Sequence, residues 1–134
     1  MTIIGIDFGD RRVGIAKSEG VLASGVCTVK VTGIEDAVEK TAMKIQELGG
    51  TKIVLGLPRN MDGSEGPRAE KSRKLKAMLE AESGLPVVLW DERRSSIEAH
   101  AILHASGKKE RAHRKTVDAV AASLILEGYL GSLK

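Results

Sequence analysis

Apolar residues recur at period two from the start of the chain. Ile4, Ile6 and Phe8 predict a buried strand over residues 2–8. RVGIAKS, residues 12–18, predicts a second strand, and Gly9-Asp10-Arg11 between the two suits a hairpin turn. Cys27, Val29 and Val31 carry the same period into a third strand over 25–31. At residue 32 the period changes. Ile34, Ala37, Val38, Thr41, Ile45 and Leu48 share one helical face, Thr32 and Glu35 have capping-box spacing, and Gly49-Gly50 stops the helix. KIVLGL, residues 52–57, is a short apolar strand closed by Pro58. A polar loop reaches Gly66, and Pro67 suits the first position of a helix whose core stripe is Leu75, Met78 and Leu79, ending near residue 82. LPVVLW, residues 85–90, predicts the fifth strand. Ser95 and Glu98 repeat the capping-box spacing ahead of Ile97, Ala101, Ile102 and Leu103, a short helix. A last helix over about 116–130 places Val117, Val120, Ala121, Leu124 and Ile125 inward.

The predicted order is three strands, helix, strand, helix, strand, helix, helix. Consecutive strands favour an antiparallel meander, and the later strand–helix alternation favours parallel additions. The expected architecture is α/β: a mixed five-stranded sheet with helices on both faces. The chain shows no internal repeat, low-complexity tract or long linker, so one domain over residues 1–134 is expected.

Composition narrows the function. Hydrophobic residues are 42% of the 134 and charged residues 29%, enough for a core and a solvated surface. Aromatic residues are only 2%, which argues against single-strand recognition by rows of stacked rings. Cys27 is the sole cysteine and is expected as a reduced core thiol. The apolar start breaks at Asp7 and lacks a basic leader, and no run is long enough to span a membrane; a cytoplasmic protein is expected. Net charge is only +3, but the cations cluster. Arg68, Lys71, Arg73, Lys74 and Lys76 form one group, and Lys108, Lys109, Arg111, Arg114 and Lys115 another. Arg11-Arg12 and Arg93-Arg94 stand close to carboxylates. A polyanion such as nucleic acid accounts for these clusters, and so do ordinary solvated helix faces.

Three acidic positions stand out. Asp7 interrupts an apolar strand, where a carboxylate is costly unless paired or cation-bound. Asp91-Glu92 follow a buried strand at its C-terminal end, where open α/β sheets place ligands. Asp118 is expected in the first turn of the last helix, beside its apolar stripe. Converging at one sheet edge, such carboxylates would hold one or two Mg²⁺ ions, which take oxygen ligands and serve phosphodiester hydrolysis. Each also has a purely structural explanation: Asp7 as a turn cap, Asp118 as a helix N-terminal acid, and Asp91 and Glu92 as partners of Arg93 and Arg94. His100 and His104 are spaced i, i+4 but lack a third ligand in view, and Ser95 and Ser96 are explained by capping.

Four stretches covering nearly the whole chain resemble the YqgF/RuvX family of pre-16S rRNA nucleases and Holliday-junction-resolvase-like proteins. They are GIDFGDRRVGIA (5–16), IVLGLPRNMDGSEGPRAEK (53–71), LPVVLWDERRSSIEA (85–99) and KTVDAVAASLIL (115–126). The resemblance implies a ribonuclease-H-like fold and a nuclease dependent on Mg²⁺ or Mn²⁺, with Asp7, Glu92 and Asp118 as metal-binding carboxylates. Asp91 is the second choice to Glu92, since neighbours on a strand point to opposite faces. The family more often has Leu-Thr-Thr where this chain has Arg94-Ser95-Ser96. The substitution keeps the hydroxyls and changes how that turn packs. Arg11, Arg12, Arg59, Asn60, Arg68 and Arg93 are candidate substrate contacts, because arginine forks match phosphate geometry. Lys108, Lys109, Arg111, Arg114 and Lys115 are expected to form a basic flap over the substrate.

The implied substrates are precursor 16S rRNA, trimmed at its 5′ end in ribosome biogenesis, and four-way branched DNA. The first is favoured; the second would need a symmetric homodimer. A catalytically silent nucleic-acid-binding module would be favoured by loss of an acidic position, and all three are present. An actin-like ATPase also begins on Asp-x-Gly, here Asp7-Phe8-Gly9, but needs a second domain for which this chain lacks length.

Overall fold

The computed structural model describes residues 1–20, 22–58, 62–91 and 110–133, with side chains of the last helix described from Asp118 onward. Five strands form one sheet: β1 (Ile3–Phe8), β2 (Arg12–Ser18), β3 (Ala23–Lys30), β4 (Lys52–Leu57) and β5 (Val87–Asp91). Their order is β3-β2-β1-β4-β5. The pairs β1–β2 and β2–β3 are antiparallel, and β1–β4 and β4–β5 parallel. The meander and its parallel extension are as the element order predicts.

Strand alternation sorts the core into two layers. Ile4, Ile6 and Phe8 of β1, with Val13 and Ile15 of β2, face helices α1 (Ile34–Leu48) and α2 (Pro67–Ser83), meeting Val38, Ile45, Leu75 and Leu79. The other face of the sheet carries Ile3, Ala16 and Val54 against helix α3 (Glu110–Ser132), which contributes Ala122, Ile125, Leu126 and Tyr129. Each fully buried isoleucine, leucine or valine among them contributes roughly 1.5–3 kcal/mol relative to exposure. Helices therefore cover both faces, and no helix among the described residues is long and apolar enough to cross a membrane.

Local rules explain most element ends. Gly49 closes α1 in the left-handed region (φ 71°), where its N–H reaches the Gln46 carbonyl while that of Gly50 reaches Ile45. Pro67 opens α2 and Gly84 closes it, again left-handed at φ 71°. Three expectations are corrected. The cap of α1 is not a Thr32–Glu35 box: the N-cap is Gly33, and Asp36 reaches back to accept the Thr32 N–H at 2.9 Å and its hydroxyl at 3.3 Å. The last helix begins at Glu110, not near 116, because 110–117 contains no glycine or proline and includes good helix formers such as Ala112, Arg111 and Lys115. Its buried stripe is correspondingly Ala121, Ala122, Ile125, Leu126, Tyr129 and Leu130, with Val120 and Leu124 only partly covered.

Candidate active site

Asp7 is the fifth residue of β1, so alternation turns it to the face that α3 covers. Directly across the ladder stands Gly14 of β2. That glycine is what admits the helix: a Cβ there would lie 2.0 Å from the Asp118 carbonyl oxygen. One step along β1, a Cβ on Gly5 would lie 2.8 Å from the Ala122 carbonyl oxygen. The backbone of α3 thus rests on bare strand, and Asp118 is seated beside Asp7. Both acids line one open cleft of about 780 Å³.

Asp118 is not a first-turn residue. It lies more than two turns inside α3, where the helix dipole no longer explains an acid. Its side chain is 19% exposed, and Arg12 Nε stands 2.9 Å from its Oδ2. A carboxylate so covered needs such a counter-charge. Arg12 is delivered by the tight β1–β2 turn, closed by the Gly9 N–H donating to the Arg12 carbonyl at 2.8 Å. The Arg11 carbonyl in turn accepts the Val31 N–H at 2.9 Å, tying the end of β3 to this turn.

Arg11, Arg12, Lys30 and Arg68 all line the cleft, together with Asp10. Lys30 was not singled out by sequence, because a lone lysine at a strand end carries no motif; its signal is the ladder, which pairs it with Arg12. Arg11, Lys30 and Arg68 form no ion pair among the described residues. The lysines and arginine on the outer faces of α1 and α2 are mostly engaged: Lys40 with Asp36, Lys44 with Glu47, Arg73 with Glu65, Lys76 with Glu80 and Lys71 with Asp10. The 68–76 cluster is thus largely a solvated face whose cations find acids on α2, in the loop before it and at cleft-lining Asp10, and Arg68 is its cleft-lining member. A second cavity of about 560 Å³, between the ends of α1 and α2, is lined by Glu39, Gln46, Glu82, Ser83 and apolar neighbours, with no cation among the described residues, which does not suit a polyanion.

Asp91 ends β5 on the same side as Val87 and Leu89, which pack toward α1 and α2. That is the face opposite Asp7. Glu92, Arg59, Asn60, Arg93, Lys108 and Lys109 lie outside the described residues, as do His100, His104 and the expected helix after Ser95. Arg111, Arg114 and Lys115 belong to α3 itself rather than to a loop or flap. Among the described residues no cluster of three or more potential metal ligands occurs; the pair brought together is Asp7 and Asp118. Two half-covered carboxylates present a hard, all-oxygen donor set that fits Mg²⁺ or Mn²⁺ and not a soft metal.

A solved structure of T. thermophilus RuvC in complex with a Holliday junction substrate aligns with 100% of this chain and 97% of its own, with TM-score 0.63 and 13% sequence identity. That likeness shows the ribonuclease-H-like fold. At the level of sequence, a protein of Pelotomaculum thermopropionicum is 42% identical over 98% of this chain and 88% of its own. One of Bacillus pumilus is 39% identical over 99% of both. Both carry, as a provisional name, that of a pre-16S rRNA nuclease. The family model described as "RuvX: Holliday junction resolvase" matches residues 1–132. With a match of that extent and relatives of that identity, this chain belongs to the RuvX family.

Proposed function

We propose that this protein is a metal-dependent nuclease that hydrolyses phosphodiester bonds in its Asp7–Asp118 cleft, acting on the 5′ end of precursor 16S rRNA during ribosome biogenesis. The observation that carries the reading is the meeting of Asp7 and Asp118, from the first strand and the last helix, in a cleft edged by Arg11, Lys30 and Arg68, which form no ion pair among the described residues. Asp7 and Asp118 would hold Mg²⁺ or Mn²⁺. The third ligand is Glu92, and the placement of Asp91 on the far face supports that choice. When bound, the cation supplies an activated water and charge neutralisation at the leaving oxygen.

The remaining work falls to the protein. Arg11, Arg68 and Lys30 attract and orient the phosphates on either side of the scissile bond. Positions 111, 114 and 115 lie seven, four and three residues before Asp118, on the same side of α3, which supports Arg111, Arg114 and Lys115 as further backbone contacts. Arg59, Asn60, Arg93, Lys108 and Lys109 complete the proposed substrate-binding set. The RNA substrate follows from the names of the relatives. A four-way DNA junction is the competing substrate, and its symmetric cleavage requires a homodimer.

The test is cleavage of a pre-16S rRNA fragment and of a four-way DNA junction in Mg²⁺ or Mn²⁺. Cutting of the RNA is expected, abolished by chelator. Asp7→Asn and Asp118→Asn should each lower the rate by more than about a hundredfold, the loss that follows even from disturbing a ligand's supporting partner. Equal cutting by Asp7→Asn would sink the site assignment. Cutting of the junction alone would replace the substrate.

A further inference from the structure

Resting on that reading of the cleft, we propose that Arg12 is the resident counter-ion of Asp118 in the metal-free protein and hands that carboxylate to the metal as it moves to the substrate phosphate. Among the described cations lining the cleft, Arg12 is ion-paired to a carboxylate of the proposed metal site, with Nε 2.9 Å from Asp118 Oδ2. It begins β2 two residues before Gly14, on the same sheet face, so the fold places its guanidinium where α3 sets Asp118 down. Its cross-strand neighbour is Lys30, so β2 and β3 together present two cations at this edge of the cleft.

A guanidinium and a divalent cation compete for the same carboxylate. A metal taking the other oxygen would still sit within a carboxylate's width of a positive charge, where repulsion is strong. In this account Arg12 gives up Asp118 when the metal loads. The side chain is 38% exposed, so it has room to swing. An arginine freed at that wall finds in a nucleic-acid phosphate the partner that best replaces a carboxylate. Metal and nucleic acid then assist each other: phosphate draws Arg12 away, and the metal keeps it away. The coupling is reciprocal by thermodynamic necessity. Arg12 is in this account a positioning residue, acting on the metal through Asp118. Without Arg12 the protein binds metal better and uses it worse.

The experiment is a Mn²⁺ titration of the full chain, followed by the EPR signal of free Mn²⁺, without nucleic acid. Arg12→Gln and Arg12→Ala should bind Mn²⁺ about tenfold more tightly than wild type, within the usual range of such couplings. A nuclease-resistant phosphorothioate RNA should tighten Mn²⁺ binding to wild type and do so less for the variants. Mn²⁺ binding by the variants that is unchanged or weaker than wild type overturns the hand-off. A second reading needs no destabilised variant. The Arg12 Nε–H resonance of wild type, assigned by its loss in Arg12→Lys, should move on saturation with Mg²⁺; a stationary resonance also overturns it. Asp7→Asn and Asp118→Asn separate the two levels. If neither weakens Mn²⁺ binding, the metal site itself is wrong; if both do while Arg12→Gln tightens nothing, the hand-off alone falls.

Discussion

Glu80 joins two elements with one carboxylate. Its Oε1 accepts from Lys76 Nζ at 3.1 Å, and its Oε2 accepts the Val87 N–H at 3.3 Å, so α2 is tied to the start of β5. These bonds, the lysine first and the backbone amide second, lower the Glu80 pKa below its usual 4.5. A carboxyl depressed in the folded state stabilises above its unfolded pKa, and that contribution is lost as pH falls through the folded value. Glu80→Gln should therefore melt below wild type at pH 7. The gap should close once acid has protonated Glu80, which thermal scans from pH 7 to pH 2 would show; a gap independent of pH would rule the linkage out. Asp36, lowered chiefly by Lys40 and then by the Thr32 amide, follows the same sign at the start of α1. Cys27 is only half-buried, packed against the core rather than inside it, and that burial still raises its thiol pKa, against a nucleophile's role.

The contact of α3 with the sheet decides whether there is a site at all. Gly14→Ala would drive a methyl into the Asp118 backbone, a collision that side-chain rotation cannot relieve. It should cost about 3 kcal/mol or more, the upper end for overpacked interiors, and should weaken Mn²⁺ binding because Asp118 is displaced. Denaturant melts and the same EPR titration would check both, and unaltered stability would refute the close seating. At the far end α3 is pinned differently: Lys52 Nζ bonds the Tyr129 hydroxyl, and Trp90 meets the Tyr129 ring edge-on at 6.3 Å between centroids. Much of this was legible in sequence. The strands, the two glycine-terminated helices and the mixed, meander-plus-parallel sheet follow from periodicity, element order and stop signals, and Asp7 stands out as an acid in an apolar strand. What sequence missed has physical causes. Thr32 bonds Asp36 rather than Glu35, and no side chain caps α1, because Gly33, not Thr32, occupies the N-cap. The first turns of α3 are rich in charge and poor in apolar residues, so the hydrophobic period that announces a helix is silent there although the backbone is helical. The role of Gly14 depends on a helix distant in sequence, which no local pattern shows.

For the whole molecule, a net charge of +3 is too small to explain nucleic-acid binding, but its distribution is suited to it. Cations on the outer helix faces are largely neutralised by acids of their own elements, whereas Arg11, Lys30 and Arg68 line the cleft without ion pairs among the described residues. Binding should accordingly weaken with salt. Lys30→Ala and Arg68→Ala should each flatten the slope of log K against log salt by about 0.7–0.9, one phosphate contact apiece. Lys44→Ala, which removes a partner of Glu47, should leave the slope alone. Fluorescence anisotropy across a salt series, without divalent metal, measures all three; identical slopes would remove the cleft from the interface. The same division of the site between β1 and α3 has a consequence in time. On a ribosome, the strand bearing Asp7 emerges first and the helix bearing Asp118 last of the described elements. Until that helix docks over Gly14, a growing chain holds only part of the proposed site. The proposed nuclease would therefore stay blunt throughout its own translation.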